Sequence, residues 1–144
     1  VPDSVPAAAA SEPRSQPRHV LVAEDNPINQ RVVQHLLRKR RWSMTVVDDG
    51  RQAVAAFERE RFDLVLMDVQ MPEMDGLEAV TLLRSIERRD GRGHTPVIAV
   101  TAHAMSGDRD RCLARGMDGY VTKPLRPDAL FAHIDDVLAR LSEV

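Results

Sequence analysis

Cysteine is all but missing from the 144-residue sequence. Cys112 stands alone, so no intrachain disulfide forms and one copy assembles no cysteine-based zinc site, which suits a reducing compartment. No apolar run approaches the roughly 18 residues that a membrane span requires, and no membrane contact is expected of this segment. Charge of one sign is not concentrated anywhere. The 20 basic and 22 acidic residues are mixed along the chain for a net charge of −2, without the basic block that would mark direct nucleic-acid binding. The glycine patterns of nucleotide sites are missing too, with no G-x-G-x-x-G after the first apolar run and no G-x-x-x-x-G-K-[ST] anywhere. Internal repeats and sustained heptads are absent. What remains is the composition of an ordinary globular chain, 43% hydrophobic and 29% charged, with room for one domain.

Residues 1–17 contain Pro2, Pro6, Pro13, Pro17 and the run Ala7 to Ala10, and show no hydrophobic periodicity. They read as a disordered linker. The opening at Val1 lacks the basic start and apolar stretch of a signal peptide; it points to a piece of a longer polypeptide or to N-terminal processing. Residues 18–142 read as the domain. Short apolar runs at His19 to Ala23, Met44 to Val47, Leu64 to Met67, Val97 to Val100 and Tyr120 to Val121 predict five buried strands. The first helix opens at Asn26-Pro27, a cap followed by a proline suited to the first helical position, and its apolar face is Ile28, Val32, Val33, Leu36 and Leu37. The last begins after Pro127 and sets Leu130, Ile134, Val137, Leu138 and Leu141 in one stripe, expected to pack on the sheet. Strands alternating with five helices through short connections predict a doubly wound α/β domain with a parallel sheet of order 2-1-3-4-5, the flavodoxin-like arrangement.

In such a sheet ligands bind beyond the carboxyl ends of the strands. The first strand ends in Glu24-Asp25, the third in Asp68 and the fourth in Thr101-Ala102, while the fifth leads into Lys123-Pro124. With neighbouring strands about 4.8 Å apart, these groups face one crevice. Three carboxylates there repel one another, since two unit charges about 4 Å apart cost on the order of 4 kcal/mol at an effective dielectric near ~20. Positive charge must offset them. A hard divalent cation such as Mg²⁺ suits a purely oxygen donor set, and Lys123 supplies a second positive group. Asp68 then reads as a nucleophile toward a phosphoryl group whose oxygens Lys123 and the Thr101 hydroxyl contact, a chemistry of positioning and electrostatics.

Four segments, in order, carry a resemblance: Leu21-Val22-Ala23-Glu24-Asp25-Asn26 with Asn29-Gln30, Met67-Asp68-Val69-Gln70-Met71-Pro72-Glu73-Met74-Asp75-Gly76, Ala99-Val100-Thr101-Ala102, and Gly119-Tyr120-Val121-Thr122-Lys123-Pro124. The chain resembles the receiver domains of two-component response regulators, most closely those at the C-terminal end of hybrid sensor histidine kinases. The resemblance implies that Asp68 is the phospho-acceptor, that Asp25 and Asp68 bind Mg²⁺ together with the Gln70 main-chain carbonyl, and that Glu24 helps through water. It implies that Thr101 and Tyr120 are a switch pair altering the surface of the fourth helix, fifth strand and fifth helix. It also implies a cis bond at Lys123-Pro124. A histidine kinase domain, in the same parent chain or in a separate protein, would donate the phosphoryl group, and a histidine-containing phosphotransfer protein would receive it. The segment alone would not be a turnover enzyme, would reside in the cytoplasm, and would be a monomer or weak dimer.

Other residues read more plainly. Asp48 and Asp49 follow the second strand as turn and cap, and Asp75-Gly76 makes a turn that starts the third helix. His103 reads as a solvated loop histidine near the site, Cys112 as a small buried hydrophobe, and Trp42 as packing or a loop anchor. A haloacid-dehalogenase-type phosphatase would need a second aspartate where Gln70 stands. A stand-alone single-domain regulator and a phosphorylation-independent docking module are the alternatives, although a docking module is expected to lack one of the acids or the lysine.

Overall fold

The alternation of apolar runs and amphipathic stretches resolves into five strands and five helices in a computed structural model describing residues 18–69, 74–102 and 108–142. The linker reading of residues 1–17, and the roles given to Gln70 and His103, lie outside the described residues. In chain order the elements are β1 (His19–Ala23), α1 (Pro27–Lys39), β2 (Ser43–Val47), α2 (Gly50–Arg59), β3 (Leu64–Asp68), α3 (Gly76–Asp90), β4 (Val97–Thr101), α4 (Asp108–Ala114), β5 (Gly119–Thr122) and α5 (Pro127–Ser142). All pairings are parallel and the sheet order is β2-β1-β3-β4-β5, as the sequence predicts. No helix among the described residues is long and apolar enough to cross a membrane.

Side chains alternate across the sheet with a period of two. Val20, Val22, Leu64, Leu66, Ile98 and Val100 meet α1 and α5 on one face, while Leu21, Val65, Met67, Val97 and Ala99 meet α2, α3 and α4 on the other. Of the predicted α5 stripe, Leu130, Ile134 and Val137 are fully buried, and Leu138 and Leu141 pack against that core from its edge. Cys112 lies buried on α4. Trp42 is buried edge-on to Phe131 with ring centroids 6.3 Å apart, and the Arg40 guanidinium lies over both rings while forming a two-point ion pair with Asp135.

Two expectations need correction. Ile28 and Val32 do not belong to the buried face of α1: they are 69% and 37% exposed. The residues that meet the sheet are Val33, Leu36 and Leu37, spaced three and four apart. Val32 is turned about 100° from Val33, and Ile28 lies in the first turn, at the carboxyl edge of the sheet. Strands β2 and β5 are not buried along their length, because each forms an edge. In β2 only Val47 is buried, and in β5 only Val121. Several strands also run a residue beyond the apolar runs, ending at Asp68, Thr101 and Thr122, because the backbone ladder continues whatever the side chain; the Val69 amide still donates to the Val100 carbonyl at 3.0 Å.

The amino ends of the strands are closed by a charge network. Arg84, on α3, donates to both carboxylate oxygens of Glu87 at 2.9 Å, to the Thr95 carbonyl at 2.8 Å, to Asp118 at 3.0 Å and to the Gly116 carbonyl. Its partners are committed elsewhere as well. Glu87 accepts the Thr95 amide, and Asp118 accepts the Val97 amide and pairs with His94 at 2.7 Å. Nearby, His19 bridges Ser43 and Glu60, and its amide donates to Asp63.

Candidate functional site

At the carboxyl ends of the strands the backbone register brings the polar residues to one level. Ala23 pairs with Met67, so Glu24 and Asp68 follow side by side, and the Glu24 amide donates to the Val47 carbonyl at 3.1 Å. On the other side Thr101 pairs with Thr122, and the Lys123 amide donates to the Thr101 carbonyl at 2.7 Å. The Lys123-Pro124 bond is cis, as the resemblance implies.

Lys123 is the cation among these acids. Its ammonium lies 2.9 Å from Glu24 Oε1 and 3.1 Å from Asp68 Oδ2, and both carboxylate side chains are only 4% exposed. Burial works to lower the Lys123 pKa, but the hydrogen bonds to Glu24 and Asp68 and the charges of both outweigh it, so the pKa is raised above the usual lysine value. Thr101 is buried at the end of β4. Tyr120 is half-buried, and its register partner Ala99 lies two residues before Thr101, so Tyr120 and Thr101 share one sheet face.

Among the described residues, one group offers three carboxylates to a single metal ion: Glu24, Asp25 and Asp68, with one ligand oxygen from each lying within 4.8 Å of the others. Two are buried and Asp25 is exposed, leaving an approach from solvent. One ammonium balances one of three negative charges. The donor set is all oxygen and carries excess negative charge, the chemistry that fits Mg²⁺ and does not fit a soft metal.

The surrounding turns are fixed by caps and by close backbone approach. Asn26 caps α1 by accepting the Ile28 amide at 2.8 Å, and its own amide donates to Glu24 Oε2 at 3.1 Å. Asp49 caps α2 and Asp75 caps α3, the structural parts the sequence suggests. Gly76 is required for another reason. A Cβ on it would lie 2.4 Å from the Asp68 carbonyl oxygen, so only glycine lets α3 start directly against the β3 end. Gly50 stands likewise against the Met74 carbonyl, at 2.3 Å from a Cβ.

Sequence reasoning missed two connections. Gln30 appears in it only as part of a family pattern and Asp48 only as a turn residue, yet the Gln30 side-chain amide donates to the Glu24 carbonyl at 2.6 Å and to Asp48 Oδ1 at 2.8 Å. The available signal was position: Gln30 lies one turn into the helix that follows the acidic pair, where a long side chain reaches back toward the helix start.

Residues 20–135 match the family of the response regulator receiver domain. A hybrid signal transduction histidine kinase from Dictyostelium discoideum is 45% identical over 132 residues, which cover 88% of this chain and 8% of that protein. The chain thus spans a small fraction of that relative. Among solved structures, the receiver domain of a sensor histidine kinase from Pseudomonas aeruginosa PAO1, with a magnesium ion coordinated in its active site cleft, is 42% identical. It has a TM-score of 0.72, with coverage of 81% of this chain and 93% of that one. A co-crystal structure of the Saccharomyces cerevisiae histidine phosphotransfer protein Ypd1 with the receiver domain of the response regulator Ssk1 contains a chain that is 31% identical. Its TM-score is 0.73, with 79% of this chain and 83% of that one covered.

Proposed function

The chain belongs to the response regulator receiver family, and from that premise we propose that it takes a phosphoryl group from a phosphohistidine onto Asp68 in a Mg²⁺-dependent phosphorelay. One observation carries this reading: a lysine ammonium bonded at once to Glu24 and Asp68, within a three-carboxylate cluster at the carboxyl edge of a parallel sheet.

An Asp68 carboxylate oxygen attacks phosphorus. The new O–P bond forms as the N–P bond of the phosphohistidine breaks, and the imidazole nitrogen leaves with the bonding pair. Lys123 neutralises charge on the phosphoryl oxygens, and the Thr101 hydroxyl donates to one of them. Asp25 and Asp68, with Glu24 through water and the Gln70 carbonyl, would hold Mg²⁺, which supplies positive charge against the transferred oxygens. With Thr101 drawn to the phosphoryl group, Tyr120 turns into the space behind it and changes the α4, β5 and α5 surface.

In this reading residues 18–142 are the receiver and residues 1–17 its linker, both parts of a hybrid sensor histidine kinase. The donor is a kinase histidine, in the same parent chain or in a separate kinase, and the next acceptor is a histidine-containing phosphotransfer protein. The segment assists its own phosphorylation without being a turnover enzyme, acts in the cytoplasm, and is a monomer or weak dimer. Intact mass after incubation with acetyl phosphate tests the site: a gain of one phosphoryl group that requires both Mg²⁺ and Asp68 is expected. No gain from acetyl phosphate or from a phosphorylated histidine donor overturns it.

A further inference from the structure

We propose that Gln30 is a positioning residue for the metal site, orienting the Glu24-Asp25 peptide so that the Asp25 carboxylate faces Glu24 and Asp68. The inference rests on the reading of these acids as the Mg²⁺ site.

Asp25 is exposed, and among the described residues its carboxylate has no hydrogen-bond or ion-pair partner. Its direction is therefore set by its own backbone. The sheet ladder holds that backbone as far as the Glu24 amide, which donates to the Val47 carbonyl. The Glu24 carbonyl is the next polar group along the chain, and it accepts the Gln30 side-chain amide at 2.6 Å. Glu24 is thus held at its amide by Val47, and its carbonyl, which belongs to the peptide leading into Asp25, is held by Gln30.

Gln30 is itself well anchored. Its main-chain amide donates to the Asn26 carbonyl at 2.9 Å, closing the first turn of α1. The second hydrogen of its side-chain amide goes to Asp48 Oδ1 at 2.8 Å. Both partners are acceptors only, so the nitrogen must face them and both its hydrogens are used. Asp48 is fixed in turn, because its main-chain amide donates to Gln52 Oε1 at 3.1 Å on α2. A neutral amide thereby ties the acidic loop to α1, to the end of β2 and to α2 without adding charge to the cluster. Groups that hold metal-ligating side chains in this indirect way typically change metal affinity by roughly 10–100-fold when removed.

The test is Mg²⁺ affinity by calorimetry, alongside thermal unfolding without metal, for Gln30→Met, which keeps the volume but removes both donors, and for Gln30→Ala, a good helix former. The expected result is affinity reduced at least about tenfold in both variants, a metal-free Tm close to that of the original chain, and phosphorylation restored by high Mg²⁺. A purely structural role would lower the metal-free Tm and leave Mg²⁺ affinity within twofold, which overturns the proposal, as does failure of both variants to fold. Asp25→Asn separates the two readings. If it loses Mg²⁺ binding while the Gln30 variants keep theirs, the Gln30 proposal alone fails; if Asp25→Asn keeps full affinity, the metal site itself is misassigned.

Discussion

The two ends of the sheet handle charge in opposite ways. At the amino ends Arg84 reaches Glu87 and Asp118, every carboxylate of that cluster also accepts a backbone amide, and the group closes on itself. At the carboxyl ends, among the described residues, one ammonium pairs with Glu24 and Asp68, and the neighbouring Asp25 has no cation of its own. Both clusters contain buried acids, so burial does not distinguish them. The way the acids are satisfied does: in the closed network each carboxylate bonds Arg84 and a backbone amide, joining α3 to the loops before β4 and β5, whereas the open one holds three carboxylates against one ammonium and leaves Asp25 unpaired among the described residues. A buried polar cluster points to function where its own members leave it unbalanced.

Substitutions at the two ends should therefore fail differently. The largest effect is expected from Asp68→Asn, which should abolish Mg²⁺-dependent phosphoryl uptake in an intact-mass assay while the fold survives, because removing one of three acids relieves repulsion. Phosphate still acquired at that site would break the contrast. Arg84→Met should do the reverse, leaving the buried Glu87 and the half-buried Asp118 without that cation and costing about 3–5 kcal/mol in chemical denaturation, with phosphorylation retained by the folded fraction. Lys123→Ala belongs with the first end: phosphoryl transfer should slow by about 10²–10³-fold, measured by single-turnover kinetics. The smallest effect concerns Glu60, whose carboxyl is held below its ordinary 4.5 chiefly by the His19 hydrogen bond. A depressed pKa stabilises the fold above that value and ceases to do so as pH falls through the folded pKa. Glu60→Gln should therefore lower Tm slightly at about pH 6, and the difference should fade as pH falls through the folded pKa of Glu60.

The open end was the more legible in the sequence, for a physical reason. Its residues sit at the ends of apolar runs, where Glu24-Asp25, Asp68, Thr101 and Lys123 interrupt a strong pattern, and one topological rule gathers them. The closed end left no comparable mark. Arg84 and Glu87, three apart on a helix, look like an ordinary solvated pair, and nothing local connects them to Gly116 or Asp118 across the chain. Gln30 was hidden in the same way, because its partners Glu24 and Asp48 follow two different strands, β1 and β2, and an amide carries no charge to notice. Ile28 and Val32 were assigned to the core because periodicity names a stripe but not where the sheet beneath it ends.

The order of residues along the chain adds a temporal property to the site. Glu24, Asp25 and Asp68 all precede β4, whereas Lys123 follows β5, which must pair with β4 before the ammonium reaches the acids. Synthesis runs from the N-terminus, so a nascent chain carries the acidic pocket without its counter-ion until nearly the whole domain has left the ribosome. A half-made copy therefore lacks the ammonium that the proposed chemistry uses, and Lys123 is the last of the site's charged residues to be made.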